Sequence, residues 1–184
     1  MAKEKFNIID LVNNDSCFDL QFRKDTRHER TNSPTYYRWK SQFVVTVPKE
    51  QIKILEKTKK VIGCGSVSVS KNQARFSVQK IDDIVAILIP FFIKNNLKEV
   101  MKKNQSTQIL SARPSTYRNR CSGFELWQKA AKIIYQNKGV YLSKWPKNDL
   151  LHLLEIHKAM AKHKNKPRKQ KWTDMAQAIT KKSE

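Results

Sequence analysis

Apolar and polar residues alternate in four short stretches within the first 110 residues: 17–23, 38–47, 66–70 and 75–79. Successive side chains of a β-strand point to opposite faces, so each stretch predicts a strand with one buried face and one exposed face. Lys71-Asn72-Gln73 separates the last two stretches and predicts the turn of a hairpin. The polar residues 24–35 end in Asn-Ser-Pro, which predicts a long loop between the first two strands.

Predicted helices lie before the first pair of strands, between the two pairs and after the second pair. Apolar spacing predicts helices over residues 6–12, 48–63 and 82–92, with the last pattern continuing over 97–110. Pro48 suits the first turn of the middle helix. The resulting order is helix, strand, strand, helix, strand, strand, helix, with no crossover helix between paired strands. This order predicts an α/β fold of the α+β type, in which helices cover one face of a four-stranded antiparallel sheet.

The last third of the chain has a different composition. We therefore divide the sequence into a core domain, residues 1–110, and a basic, helical C-terminal extension, residues 111–184. Apolar spacing predicts helices over 124–137 and 148–163, and the segment KHKNKPRKQK at 162–171 is strongly basic. Aromatic residues spread among these cations can either stack on nucleic-acid bases or anchor the helices: Tyr117, Trp127, Tyr135, Trp145 and Trp172.

The charge of the chain limits its possible partners. It carries 37 Lys and Arg against 16 Asp and Glu, a formal net charge of +21. Such a field attracts polyanions: nucleic acid, an anionic membrane or an acidic protein. The longest apolar run, Ile84–Ile93, is shorter than the roughly 20 residues of a spanning helix, which disfavours a membrane partner. A basic protein-interaction module is therefore the remaining alternative to nucleic-acid binding.

The three cysteines, Cys17, Cys64 and Cys121, are far apart and odd in number. They fit neither a disulfide framework nor a C-x-x-C metal site, which indicates a reducing compartment.

The predicted sheet exposes cations and amides on one face, and these groups can contact phosphates and base edges. The candidate contacts on this face are Arg23, Arg38, Lys40, Gln42, Arg75 and Gln79. The extension adds candidate phosphate contacts: Arg113, Arg118, Arg120, Lys164, Lys166, Arg168 and Lys169.

Four motifs follow one another in the order and spacing of a known family. They are Asn13-Asn14-Asp15-Ser16-Cys17-Phe18, Phe43-Val44-Val45-Thr46-Val47, Ile62-Gly63-Cys64-Gly65-Ser66-Val67 and Ile89-Pro90-Phe91-Phe92. Over residues 8–103 the chain resembles one half of a LAGLIDADG homing endonuclease. The resemblance implies a saddle-shaped sheet that lies along a DNA major groove. It also implies motif helices that pack at a two-fold axis, each delivering one carboxylate to a divalent metal for phosphodiester cleavage.

The motif departs from the family pattern at its catalytic end. Asp15 matches the metal-binding acid, whereas Asn13 replaces the other acidic residue. Ile9 and Asp10 stand where small residues let two motif helices touch, so a symmetric dimer would bring two Asp10 carboxylates together. The catalytic lysine has no clear counterpart. We therefore expect no catalytic residue and no cofactor. Asp15 is a vestigial candidate for metal binding, and Mg²⁺ is expected only if the chain is an endonuclease.

These observations favour a non-catalytic RNA-binding protein derived from a homing endonuclease. Small, very basic chains with long tails are typical of ribosomal proteins, and the family occurs mainly in organellar introns. The resemblance implies a mitochondrial or plastid origin, and we expect a component of an organellar ribosome, most simply a mitochondrial one in the organellar matrix, that binds rRNA and neighbouring ribosomal proteins. The alternative is a homodimeric DNA endonuclease or an intron maturase with Mg²⁺-dependent chemistry. No membrane or small-molecule partner is expected.

Overall fold

Four antiparallel strands form one sheet, and helices pack on one of its faces. The computed structural model describes residues 8, 11–12, 16–26, 35–97 and 115–162. The strands are β1 (Ser16–Thr26), β2 (Thr35–Pro48), β3 (Ser66–Ser70) and β4 (Gln73–Val78), and their order in the sheet is β1-β2-β4-β3. All three pairings are antiparallel. The predicted fold class is confirmed.

The two longest strands exceed their predicted bounds. β1 and β2 pair from Ser16↔Val45 to Thr26↔Thr35, so they continue beyond β4 as a two-stranded ribbon. The predicted loop over residues 24–35 is therefore wrong at both ends, because hydrogen bonding between the strands outweighs the polar composition of these positions. Gln73, predicted in the hairpin turn, instead begins β4 and pairs with Ser70.

Three helical segments of the predicted core lie within the described residues. Ile8, Leu11 and Val12 are helical, and the Ser16 hydroxyl donates to the carbonyl of Val12 at the start of β1. A 3₁₀ turn (Lys49–Gln51) leads into α1 (Ile52–Ile62), which ends at Gly63 with a φ of 85°. The third segment consists of α2 (Ile81–Asp83), a π-helical stretch (Ile84–Leu88) and α3 (Ile89–Lys94).

Pro90 explains the π-helical stretch. Its ring has no N–H and would clash with the carbonyl four residues earlier in a regular α-helix. A wider turn before Pro90 removes this clash, so the helix continues through a π-helical stretch instead of breaking.

The helices of the C-terminal part pack on the same hydrophobic core. They are α4 (Ser115–Gln136) and α5 (Lys147–Lys162), joined by a loop that contains a 3₁₀ turn (Leu142–Lys144). Phe18 of β1 has its ring centroid 5.2 Å from that of Phe124 and 5.1 Å from that of Trp127, both on α4. The predicted helix at Phe124 thus begins earlier, at Ser115, and the boundary predicted at residue 110 lies outside the described residues.

Within the described part of the chain, none of the helices combines the length and the apolar character that crossing a membrane requires.

Candidate nucleic-acid interface

Alternation along the strands gives the sheet two different faces. The helix-covered face buries the apolar residues of each strand in one cluster: Phe18, Leu20, Phe22, Trp39, Phe43, Val45, Val47, Ala74, Phe76 and Val78. The opposite face, here called the open face, carries the intervening residues of the four strands: Cys17, Asp19, Gln21, Arg23, Arg38, Lys40, Gln42, Val44, Thr46, Ser66, Ser68, Ser70, Gln73, Arg75 and Ser77. Gln79 directly follows β4.

The predicted arginines lie near opposite ends of the open face. Arg23 pairs with Arg38 in the β1–β2 ribbon, and both are exposed. Arg75 on β4 pairs with Thr46 on one side and Ser68 on the other, and it is also exposed. Two guanidinium groups in register repel each other unless an anion lies between them. The ribbon end of the face therefore carries two cations in register.

A carboxylate organises the amides at the centre of the open face. Gln42 Nε2 donates to Asp19 Oδ2 at 3.0 Å, and Gln21 Nε2 donates to the same oxygen. Arg23 Nε in turn donates to Gln21 Oε1 at 2.9 Å. Gln42 is only 5% exposed, so its amide is held against Asp19. The sequence pattern predicts Gln42 as a contact but gives no signal for Asp19, because the role of Asp19 depends on the pairing of β1 with β2.

A second set of hydrogen bonds crosses the other strands of the open face. Lys40 Nζ on β2 donates to Gln79 Oε1 at 2.7 Å, and Gln79 Nε2 lies 3.4 Å from Ser77 Oγ. Ser77 Oγ also lies 3.4 Å from Ser66 Oγ on β3. The structure thus brings together the predicted pair Lys40 and Gln79, which are 39 residues apart in the sequence.

The open face is positively charged overall. Among its described side chains, four cations (Arg23, Arg38, Lys40 and Arg75) face one anion, Asp19. Cations neutralise phosphates, while oriented glutamine amides can read base edges. The six residues predicted for this face all lie on it or at its edge, and their contact with a ligand stays a prediction.

The predicted phosphate contacts of the C-terminal extension, and the candidate metal ligand, fall outside the described side chains. Arg118 and Arg120 belong to α4, but their side chains lie outside the described residues, as does the whole of Arg113. The same holds for Lys164, Lys166, Arg168 and Lys169, and for the candidate metal ligand Asp15. Among the described residues, no three His, Cys, Asp or Glu side chains come together in a way that could hold a metal ion.

The loop between α4 and α5, together with the first residue of α5, adds lysines outside the predicted set. Lys138, Lys144 and Lys147 are all exposed. Lys138 Nζ lies 2.6 Å from Asp82 Oδ2, which ties this loop to α2, three residues after Gln79. The hydrogen bond that Lys138 donates to Asp82, with a smaller contribution from the charge of Asp82, raises the pKa of Lys138 above its ordinary value. The sequence feature that points to these three lysines is their spacing around Tyr141 in the segment KGVYLSKWPK, residues 138–147.

The aromatic residues of the C-terminal part differ in whether their rings are buried or exposed. Trp127 is fully buried and Trp145 is buried, so both anchor helices and cannot stack on bases. Tyr135 is exposed, whereas the side chains of Tyr117 and Trp172 lie outside the described residues.

The sequence matches the family model of the LAGLIDADG endonuclease over residues 11–109, which is more than half of the chain. No curated protein sequence matches it.

Solved structures of homing endonucleases have a similar fold. I-SmaMI, bound to an uncleaved DNA target with calcium ions, superposes with a TM-score of 0.60 at 16% identity, over 85% of this chain and 44% of that chain. The homing endonuclease I-TnaI gives 0.59 at 15% identity, over 94% and 95%. I-LtrWI, bound to its target DNA, gives 0.59 at 16% identity, over 87% and 46%. The present chain thus spans less than half of I-SmaMI and I-LtrWI but nearly all of I-TnaI.

Proposed function

We propose, because this chain belongs to the LAGLIDADG endonuclease family, that it binds nucleic acid through the open face of its sheet. One observation carries the proposal: four cations and several glutamine amides share a face whose helix-covered opposite side is apolar. Phosphates would lie against Arg23, Arg38, Lys40 and Arg75. The amides of Gln21 and Gln79 would meet base edges or unpaired bases, whereas the buried amide of Gln42 would hold Asp19 in place.

We further propose that the protein acts as a non-catalytic binder of RNA, as a component of a mitochondrial ribosome. The net charge of +21 and the basic segment at 162–171 support this role. The replacement of the motif's second acid by Asn13, and of a small contact residue by Asp10, argues against a preserved cleavage centre. In A-form RNA the major groove is too narrow for side chains, so the open face would meet backbone, loops or single strands.

A DNA endonuclease is the second candidate. The observation that favours it is the fold shared with I-SmaMI and I-LtrWI, both of which were solved on DNA targets. This function would require dimerisation, with Asp15 of each copy contributing one carboxylate. Mg²⁺ takes oxygen ligands, so a carboxylate is a suitable ligand for it. When bound, the metal would supply an activated water for phosphodiester hydrolysis.

Cysteine footprinting tests the open face directly. Cys17 is exposed and pairs with Val44 on this face, whereas Cys64 is buried within the hydrophobic core. We expect bound RNA to slow alkylation of Cys17 by iodoacetamide, as measured by mass spectrometry of the Cys17 peptide. Alkylation of Cys17 at an unchanged rate, under conditions where a gel shift shows complete binding, would place the ligand elsewhere.

Ultraviolet crosslinking in the native cells distinguishes the two functions. Crosslinked reads concentrated at one ribosomal RNA site would support the ribosomal role. Reads at one intron or one DNA locus would support a maturase or an endonuclease. With purified protein, Mg²⁺-dependent nicking that Asp15→Asn abolishes would overturn the non-catalytic proposal.

A further inference from the structure

The loop between α4 and α5 holds large apolar side chains in solvent. Tyr141 is 69% exposed and Val140 is 45% exposed, and Tyr135 at the end of α4 is 43% exposed. Single exposed apolar residues are ordinary on protein surfaces. Here three of them fall within seven consecutive positions of the chain, which singles out this segment.

Hydrogen bonds hold this loop in one conformation. The Lys144 N–H donates to the Tyr141 carbonyl at 2.8 Å, and Trp145 Nε1 donates to the Val140 carbonyl at 3.0 Å. The buried Trp145 ring therefore anchors the backbone beside Tyr141. At the start of the loop, Asn137 Nδ2 donates to Asp149 Oδ2 at 2.7 Å, which ties α4 to α5. The exposure of Tyr141 is thus a property of an anchored loop.

The charge around Tyr141 is entirely positive along the chain. Lys138, Lys144 and Lys147 are exposed, and no acidic residue occurs between Glu125 and Asp149. Among the described contacts Lys138 pairs with Asp82, whereas no ion pair is described for Lys144 in the loop or for Lys147, the first residue of α5. An aromatic ring flanked by cations fits a ligand that has both a flat π-surface and negative charge.

We infer that Tyr141 stacks on an unpaired nucleobase, while Lys144 and Lys147 neutralise the phosphates beside it. The ligand is single-stranded or looped nucleic acid, because in a duplex each base face is already covered by its neighbours. The inference rests on the proposed nucleic-acid binding but concerns a different surface from the open face. Because the loop is anchored before binding, little conformational freedom is lost when a base stacks.

A protein partner fits these observations less well. Lysine is depleted at protein–protein interfaces, whereas here three lysines occur within the ten residues of chain that contain Tyr141.

Two variants of the full-length protein test the inference. The probes are an unstructured 20-nucleotide oligouridine and a blunt RNA duplex with the same number of phosphates. Tyr141→Ala should weaken binding of the single strand by between about 5-fold and about 150-fold, the range known for loss of one stacked base. Binding of the duplex should change less than about twofold, because its bases offer no free face to the ring. Tyr141→Phe keeps the ring and should bind the single strand as the parent protein does.

Val61→Ala is the matched control, since Val61 is another exposed apolar side chain but lies on α1. It should bind both probes normally. Equal losses on both probes for Tyr141→Ala would overturn the stacking inference, as would no loss on either. The triple variant Arg23→Ala, Arg38→Ala, Arg75→Ala separates the two proposals. If the triple variant weakens binding while Tyr141→Ala does not, only the inference about Tyr141 fails. If neither the triple variant nor Tyr141→Ala weakens binding, the proposed function fails as well.

Discussion

Lys40 Nζ donates a hydrogen bond of 2.7 Å to Gln79 Oε1, and this bond joins the centre of β2 to the residue that follows β4. The bond lies on the exposed side of the sheet and keeps the lysine extended across the strands. A lysine held in this way loses less side-chain freedom when it binds a phosphate. Lys40 is thus a cation of the open face whose position is fixed from a neighbouring strand.

Replacing Lys40 should reduce the salt dependence of nucleic-acid binding. Each neutralised phosphate contributes about 0.9 to the slope of log affinity against log salt for duplex DNA and about 0.7 for single strands. We therefore expect Lys40→Ala to lower the slope by about that amount, as measured by fluorescence anisotropy from 50 to about 300 mM salt. Lys53→Ala is the control, because Lys53 is exposed on α1. Equal slopes for Lys40→Ala and the parent protein would exclude a phosphate contact.

Replacing Trp127 should destabilise the whole fold. Trp127 is fully buried, and its ring centroid lies 5.1 Å from that of Phe18 in β1. Loss of such a ring costs about 3–5 kcal/mol, so Trp127→Ala should lower the free energy of unfolding in urea by this amount. Among the described residues, Trp127 Nε1 has no hydrogen-bond partner. Trp127→Phe should therefore cost less than half as much, since it removes an unpaired N–H. Similar costs for both variants would contradict this account.

Two glycines of the turn before β3 provide a matched pair of substitutions. Gly63 and Gly65 have φ values of 85° and 92°, which L-residues rarely adopt. A Cβ on Gly65 would lie 2.7 Å from Phe76 Cε2 and 2.9 Å from the Ser77 carbonyl oxygen, whereas a Cβ on Gly63 would meet nothing within 4 Å. We expect Gly63→Ala to cost about 1 kcal/mol of unfolding free energy, from the backbone alone. Gly65→Ala should cost about 1–3 kcal/mol more because of overpacking.

Thermal or urea denaturation of both glycine variants measures this difference. Equal costs would mean that Phe76 moves aside freely, which its complete burial argues against.

The two described cysteines should differ in reactivity. Burial, followed by the charge of Asp83, raises the pKa of the Cys64 thiol from 9.0 to about 11. The thiolate is the reactive species, so at pH 8 iodoacetamide should modify the exposed Cys17 well before Cys64 in the folded protein. Peptide mass spectrometry over time measures both rates. Modification of Cys64 as fast as Cys17 would exclude a buried, neutral thiol.

The same pKa difference predicts a pH dependence of stability. Between about pH 9 and 11, Cys64 loses its proton in the unfolded chain but keeps it in the folded protein. The folded state then binds more protons, so the free energy of unfolding falls as pH rises through this window. Below pH 9 the thiol is protonated in both states and contributes no slope. Cys64→Ala should therefore show a smaller decline from pH 9 to 11 than the parent protein in urea titrations.

The sequence by itself determined the local elements and the sign of the chain's net charge. Alternation with a period of two assigned Phe18 and Phe22 to one face of β1, and Arg23 to the other, because neighbouring strand residues must point apart. The excess of lysine and arginine predicted a polyanionic partner, because net charge is a sum that needs no structure. The motif order from Asn13 to Phe92 also predicted the family that the match over residues 11–109 confirms.

Only the tertiary structure decided which side chains meet. Gln42 was predicted as an exposed contact, but pairing of β1 with β2 places Asp19 beside it and buries it. Lys138 and Asp82 are 56 residues apart, and their ion pair exists because α4 packs along the sheet. Strand pairing and helix packing join positions that are distant in the chain, whereas the sequence pattern records only neighbours. Propensity and periodicity therefore predicted the elements, and long-range packing determined the geometry of the open face and of the loop that holds Tyr141.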